Sequence, residues 1–127
     1  MKRKILPSEK ELEILQVLWL HGPETVRFIH EELEKTNPVG YTTTLKTIQR
    51  MYDKGYLERR KAGKQHIYSP VAEKKDTEVN LLNNFLDNVF QGSPSKLVMN
   101  LLGNKKASQN EIDQIKTLIS KFEDNNE

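Results

Sequence analysis

Apolar side chains recur with a helical period along six stretches of the chain and alternate over one, and polar punctuation separates them. Ser8-Glu9-Lys10-Glu11 has the form of a capping box, in which the Ser8 side chain accepts from the Glu11 amide and Glu11 reaches back to Ser8. A first helix is predicted to begin there, with Leu12, Leu15, Leu18 and Trp19 on its buried stripe and His21-Gly22-Pro23 as its stop. Thr25 is placed to cap a second helix whose inward positions are Val26, Ile29 and Leu33, ending near the turn-rich residues 36–40. A third follows over residues 41–55, with Leu45, Ile48, Met51 and Tyr52 on one stripe and Gly55 as the left-handed residue that ends it. Residues 56–61 and 65–70 then alternate as two strands around Ala62-Gly63.

The remaining residues are helical throughout. Val79, Leu82, Leu86 and Val89 line a helix from about residue 72 to residue 90, which Gly92-Ser93-Pro94 breaks, with Pro94 in the favoured first position of the next. Leu97, Val98, Leu101 and Leu102 give that shorter helix its apolar face, and Gly103 closes it. A second capping box, Ser108 to Glu111, opens a last helix with the stripe Ile112, Ile115, Ile119 and Phe122.

The predicted fold is therefore mainly α with a small β-hairpin wing. An N-terminal winged helix-turn-helix occupies residues 1–71 and a three-helix C-terminal domain residues 72–127. A domain as small as the second buries only about 60% of the surface its unfolded chain exposes, so its stripes are best covered by a second copy. A homodimer is expected, with Val79, Leu82, Leu86, Leu97, Leu101, Ile112, Ile115, Ile119 and Phe122 at the dimerisation surface; a self-contained three-helix cap is the competing reading.

Charge sharpens the picture. The whole chain carries a formal +2, yet residues 41–68 hold seven cations against two acids, while residues 71–127 hold seven Lys against nine acids. A basic segment on an otherwise balanced chain is the footprint of a polyanion partner. The exposed face of the third helix offers short hydroxyls and long cations, which donate to phosphates and base edges, and the major groove admits such a helix. Thr42, Thr43, Lys46 and Thr47 are the candidates for base-edge and nearby phosphate contacts, Arg50 for a phosphate contact one turn on, and Arg60, Lys61 and Lys64 for the flanking backbone or minor groove. The expected partner is double-stranded DNA.

Other classes fare worse. Cys is absent, which removes disulfides, thiolate zinc sites and Cys nucleophiles. His21, His30 and His66 have no HExxH or nucleophile elbow around them, and each reads as a surface or capping residue. Glu31, Glu32 and Glu34 project to different helix faces and do not converge. No enzyme activity, cofactor or metal is expected. The N-terminus lacks the apolar core of a signal peptide and no apolar run reaches the roughly eighteen residues of a membrane span, so the protein is expected in the cytoplasm and not inserted in a membrane. A winged helix used as a protein-interaction module without DNA specificity is the alternative, and the basic wing argues against it.

Tyr41-Thr42-Thr43, with Thr47, Arg50, Lys54 and Gly55 behind them, resembles the recognition-helix signature of the penicillinase-repressor family (BlaI/MecI type). The likeness continues through residues 12–19, through residues 68–70 at the end of the wing, and through Gly92-Ser93 with residues 97–102, covering nearly the whole chain. The resemblance implies a homodimeric transcriptional repressor on an inverted-repeat operator, released when a membrane sensor-transducer that is itself a zinc metalloprotease triggers repressor cleavage. In antibiotic-responsive members the cleaved bond joins Asn to Phe in the first short C-terminal helix; the matching pair here is Asn100-Leu101. The copper-responsive branch carries a C-terminal Cys cluster, which this chain lacks, and Thr44 stands where an aliphatic residue is usual.

Overall fold

The computed structural model describes residues 5–104 and 108–125, the side chains of the latter segment to residue 121. The chain divides into two compact units, Met1–Leu82 and Asn83–Glu127, with one helix running from the first into the second.

The first unit opens with α1 (Glu9–His21), whose capping box forms as expected: the Ser8 amide donates to Glu11 Oε1 at 2.9 Å and the Glu11 amide to Ser8 Oγ at 3.3 Å. Its buried stripe is Glu11, Ile14, Leu15 and Leu18, rotated from the predicted one, so Ile14 takes the central place and Leu12 and Trp19 are only half-buried. The i, i+3, i+4, i+7 spacing of those four positions is the ordinary buried face of a helix, and the charged Glu11 hides its membership. Glu24–Thr25 forms β1, absent from the sequence prediction, and Thr25 also caps α2 (Val26–Glu34) by accepting from the Phe28 amide at 3.2 Å.

After the turn comes α3 (Tyr41–Asp53), with Thr44, Ile48 and Met51 buried and Leu45 and Tyr52 half-buried. A Schellman closure ends it: Tyr56 N donates to Met51 O at 2.8 Å and Gly55 N to Tyr52 O at 3.0 Å, with Gly55 at φ 83°. The hairpin follows as β2 (Leu57–Ala62) and β3 (Gln65–Pro70), paired antiparallel from Leu57↔Pro70 to Ala62↔Gln65. β3 has the expected bounds, and β2 lies one residue further along the chain than the expected 56–61. Gly63 and Lys64 alone make the turn, and Gly63 at φ 65° supplies the positive dihedral that a two-residue hairpin loop requires at its first position. β1 joins the other edge of β3, giving a three-stranded sheet in the order β1-β3-β2. Ile14, Leu15, Leu18, Ile29, Ile48, Met51, Leu57 and Tyr68 form the core between helices and sheet.

In the same unit the Trp19 indole N–H donates to the Ala72 carbonyl at 3.1 Å, and Thr77, on the first turn of α4 (Lys74–Val89), is fully buried. The second unit holds the rest of α4, α5 (Pro94–Gly103) and α6 (Gln109–Asn125). Ser93 caps α5 through the Lys96 amide with Pro94 in its first turn, and the Ser108 to Glu111 box is present at α6. Packing here is thin: α5 buries no residue, and Leu101, Leu102, Leu118 and Ile119 are exposed. Ile112 and Ile115 are half-buried; the side chain of Phe122 lies outside the described residues.

Candidate nucleic-acid interface

The surface of α3 divides cleanly by helical position. Thr44, Ile48 and Met51 face the core, while Thr42, Thr43, Lys46, Gln49 and Arg50 are exposed and Thr47 is half-buried on the flank. The Thr47 hydroxyl donates to the Thr43 carbonyl at 2.8 Å, which fixes its rotamer. Gly40 caps α3 without a side-chain hydrogen bond, so the amides of the first turn are not taken by a capping oxygen.

α3 is tied to α2 through His30, which is not a surface histidine. Its side chain is 12% exposed, its Nδ1 lies 3.1 Å from Thr44 Oγ1 and its Nε2 2.5 Å from Glu34 Oε1, and its ring stands edge-on to Tyr41 at 5.3 Å. The His30 ring therefore joins Thr44 and Glu34 through its two nitrogens. The polar Thr44 is thus satisfied inside the core by a partner on the neighbouring helix. Glu32 meanwhile turns to Lys35 at 3.0 Å and to His21 at 4.0 Å, so the acidic cluster of α2 disperses as expected.

The seven cations of the basic segment have two different fates. Lys54 reaches back to Glu11, Nζ to Oε2 at 2.6 Å, and lies 4.6 Å from the centroid of the Tyr56 ring; it is a packing element. Burial pushes the Glu11 carboxyl up, but the bonds from Lys54 and Ser8 more than offset that and hold it below its ordinary value of 4.5. Arg59 lies over Tyr52, its guanidinium carbon 3.9 Å from the ring centroid. Lys46, Arg50, Arg60, Lys61 and Lys64 are exposed and make no ion pair among the described residues. Lys64 sits in the hairpin turn itself, Lys61 opposite His66, and Arg60 opposite Ile67 on the other face of the sheet.

A helix with an exposed hydroxyl-and-cation face, backed by two helices and flanked by a cationic hairpin, is the winged helix-turn-helix arrangement. The profile of one family, Penicillinase repressor, matches residues 7–121. The chain belongs to the penicillinase repressor family. This is a family of DNA-binding winged-helix transcription regulators and not of enzymes.

Among the relatives of this penicillinase-repressor chain, the methicillin resistance regulatory protein MecI of Staphylococcus aureus is 27% identical over 114 residues, 90% of this chain and 93% of that one. The penicillinase repressor of Bacillus licheniformis is 28% identical over 119 residues, 94% and 93% of the two chains. A solved structure of the DNA-binding domain of the repressor BlaI is 30% identical and covers 60% of this chain and 93% of that one, with a TM-score of 0.53. A second, of Bacillus licheniformis BlaI in its monomeric form in complex with the blaP half-operator, has the same identity and coverage and a TM-score of 0.52.

Thr42, Thr43, Lys46 and Arg50 thus share one exposed face, with Thr47 on its flank, and Arg60, Lys61 and Lys64 lie exposed on the hairpin, where the basic pattern put them. Sequence reasoning placed Glu11 only in the capping box, took His30 for a surface or capping residue and counted Arg59 only among the cations of the basic segment. Its one available signal for them was the excess of polar side chains at positions that a helix or strand period assigns to the interior.

Proposed function

We propose that this protein is a homodimeric transcriptional repressor that binds an inverted-repeat operator through α3 and the wing, and acts in the cytoplasm. The observation that carries the reading is the joint exposure of Thr42, Thr43, Lys46 and Arg50 on α3 beside Arg60, Lys61 and Lys64 on the hairpin, in a fold whose BlaI relative is bound to a half-operator. Residues at the N-terminal end of the inserted helix read base edges, whereas wing cations meet phosphates that carry no sequence information.

In this reading residues 1–71 bind DNA and residues 72–127 dimerise. Support for the second assignment comes from apolar side chains that one chain leaves uncovered: Val79, Leu82, Leu101 and Ile119 are each between 41% and 51% exposed, and Leu86, Leu97, Ile112 and Ile115 only half-buried. A single chain gains little by exposing such a series, and a two-fold partner offering the same surface covers it. Release follows cleavage between Asn100 and Leu101, triggered by a membrane sensor-transducer protease. Both residues are exposed, on a ten-residue helix with no buried side chain, so opening that helix to a protease costs little.

Two substitutions test the division of labour at the DNA. Lys46→Ala is expected to weaken operator binding and to relax sequence preference, whereas Lys61→Ala weakens operator and random duplex by the same factor and reduces the salt slope by about one. Equal losses on both duplexes for Lys46→Ala would remove α3 from the role of reader.

A further inference from the structure

Arg59 lies outside the set of exposed cations just described, and it has a seat that none of them has among the described residues. Its guanidinium stacks on Tyr52, on the last turn of α3. Tyr68, its cross-strand partner, is buried and stands edge-on to Tyr52 at 6.5 Å between ring centroids. The guanidinium pKa is raised, most of all by Tyr68, with smaller help from Tyr52 and from Asp53 at the end of α3. The side chain is nevertheless exposed. An arginine is thus held in one orientation at the junction of the reading helix and the wing.

Stacking occupies a face of the guanidinium and leaves its N–H donors, which lie in the plane, available at the edge. That fork matches two oxygens of a phosphate, and a flexible surface cation must lose side-chain entropy to make the same contact. With α3 in the major groove and the wing beside it, the strand bordering the groove passes the root of the wing. We infer that Arg59 is a phosphate-binding residue, a pre-ordered clamp on the duplex backbone where α3 meets β2. The inference rests on the reading of α3 as the groove-inserted helix. A role limited to covering Tyr52 and Tyr68 is the alternative, and the two differ in how binding depends on salt.

The test uses the full chain and a random-sequence duplex of about 30 base pairs, with affinity measured by fluorescence anisotropy from about 50 to 200 mM salt. Arg59→Met keeps a long apolar stem over Tyr52 and removes the charge. It is expected to bind about tenfold more weakly, because a hydrogen bond to a charged group is lost, and to show a log K against log salt slope shallower by about 0.9 per bound protomer. Arg59→Lys keeps a cation without the planar fork; it is expected to retain the slope and still bind more weakly than the parent, and it carries the test if the methionine variant melts early. An unchanged slope in a folded Arg59→Met variant, or parental affinity in Arg59→Lys, would overturn the inference while leaving the DNA-binding reading intact. A parent protein whose binding to duplex DNA does not depend on salt would instead remove the reading on which it rests.

Discussion

Glu11 closes the cap of α1, lies in the core with its side chain 9% exposed, and accepts from Lys54 at 2.6 Å, so three levels of structure meet in one carboxylate. Because its folded pKa is lowered, its ionised form stabilises the fold; that contribution is complete above its ordinary value of 4.5 and is lost as pH falls through the lower folded value. Lys54→Met should therefore cost about 1–2 kcal/mol at neutral pH, short of the 3–5 kcal/mol of a fully buried pair because Lys54 is half exposed. The penalty should shrink as Glu11 protonates, which urea unfolding at neutral and at acid pH measures; a penalty independent of pH would mean that Lys54 acts through packing alone. In the sequence Lys54 is indistinguishable from the cations of the DNA face. No local spacing rule links it to Glu11, and the pair exists only because α1 and the end of α3 pack together. His30 and Thr44 were opaque for the same reason, since each reads as a misplaced polar residue until the partner on the other helix is seen.

Elements whose signals are local were legible. Both capping boxes, the Thr25 cap, the Gly55 closure, Pro94 in the first turn of α5 and the hairpin all formed as the residues indicated. What failed depended on tertiary neighbours: β1 is two residues long and exists only because β3 offers it an edge, and the α1 stripe was misplaced because Glu11 carries charge on a buried face. α5 and α6 carry their own prediction. A protease site introduced between Asn100 and Leu101 separates the last turn of α5 and all of α6 from the chain before it. Ile112, Ile115 and Ile119 are then lost to the proposed interface, each worth up to about 1.5–3 kcal/mol if fully buried there. Analytical ultracentrifugation after cleavage should find monomer at concentrations where the uncut protein is dimeric, with operator affinity reduced to that of one winged helix. Dimerisation that survives the cut would dismiss release by proteolysis at this bond.

For the molecule as a whole, the net +2 hides a segment of +5 in residues 41–68 followed by a mildly acidic half, and the proposed function assigns DNA contact to the first and self-association to the second. Joining two half-site readers raises apparent affinity by about 10²–10⁴ without any new contact, and this gain is what a dimeric repressor surrenders when its subunits part. The proposed two-fold dimer would also fix the form of its target, because identical reading helices must meet identical half-sites about one helical turn apart, or a multiple of it. The most direct test is to select duplexes bound by the full-length protein from a random-sequence pool and sequence them. The account predicts enrichment of an inverted repeat with that spacing, bound at least about 10³-fold more tightly than random duplex. Retention without any enriched sequence, or enrichment of a single asymmetric motif, would contradict it.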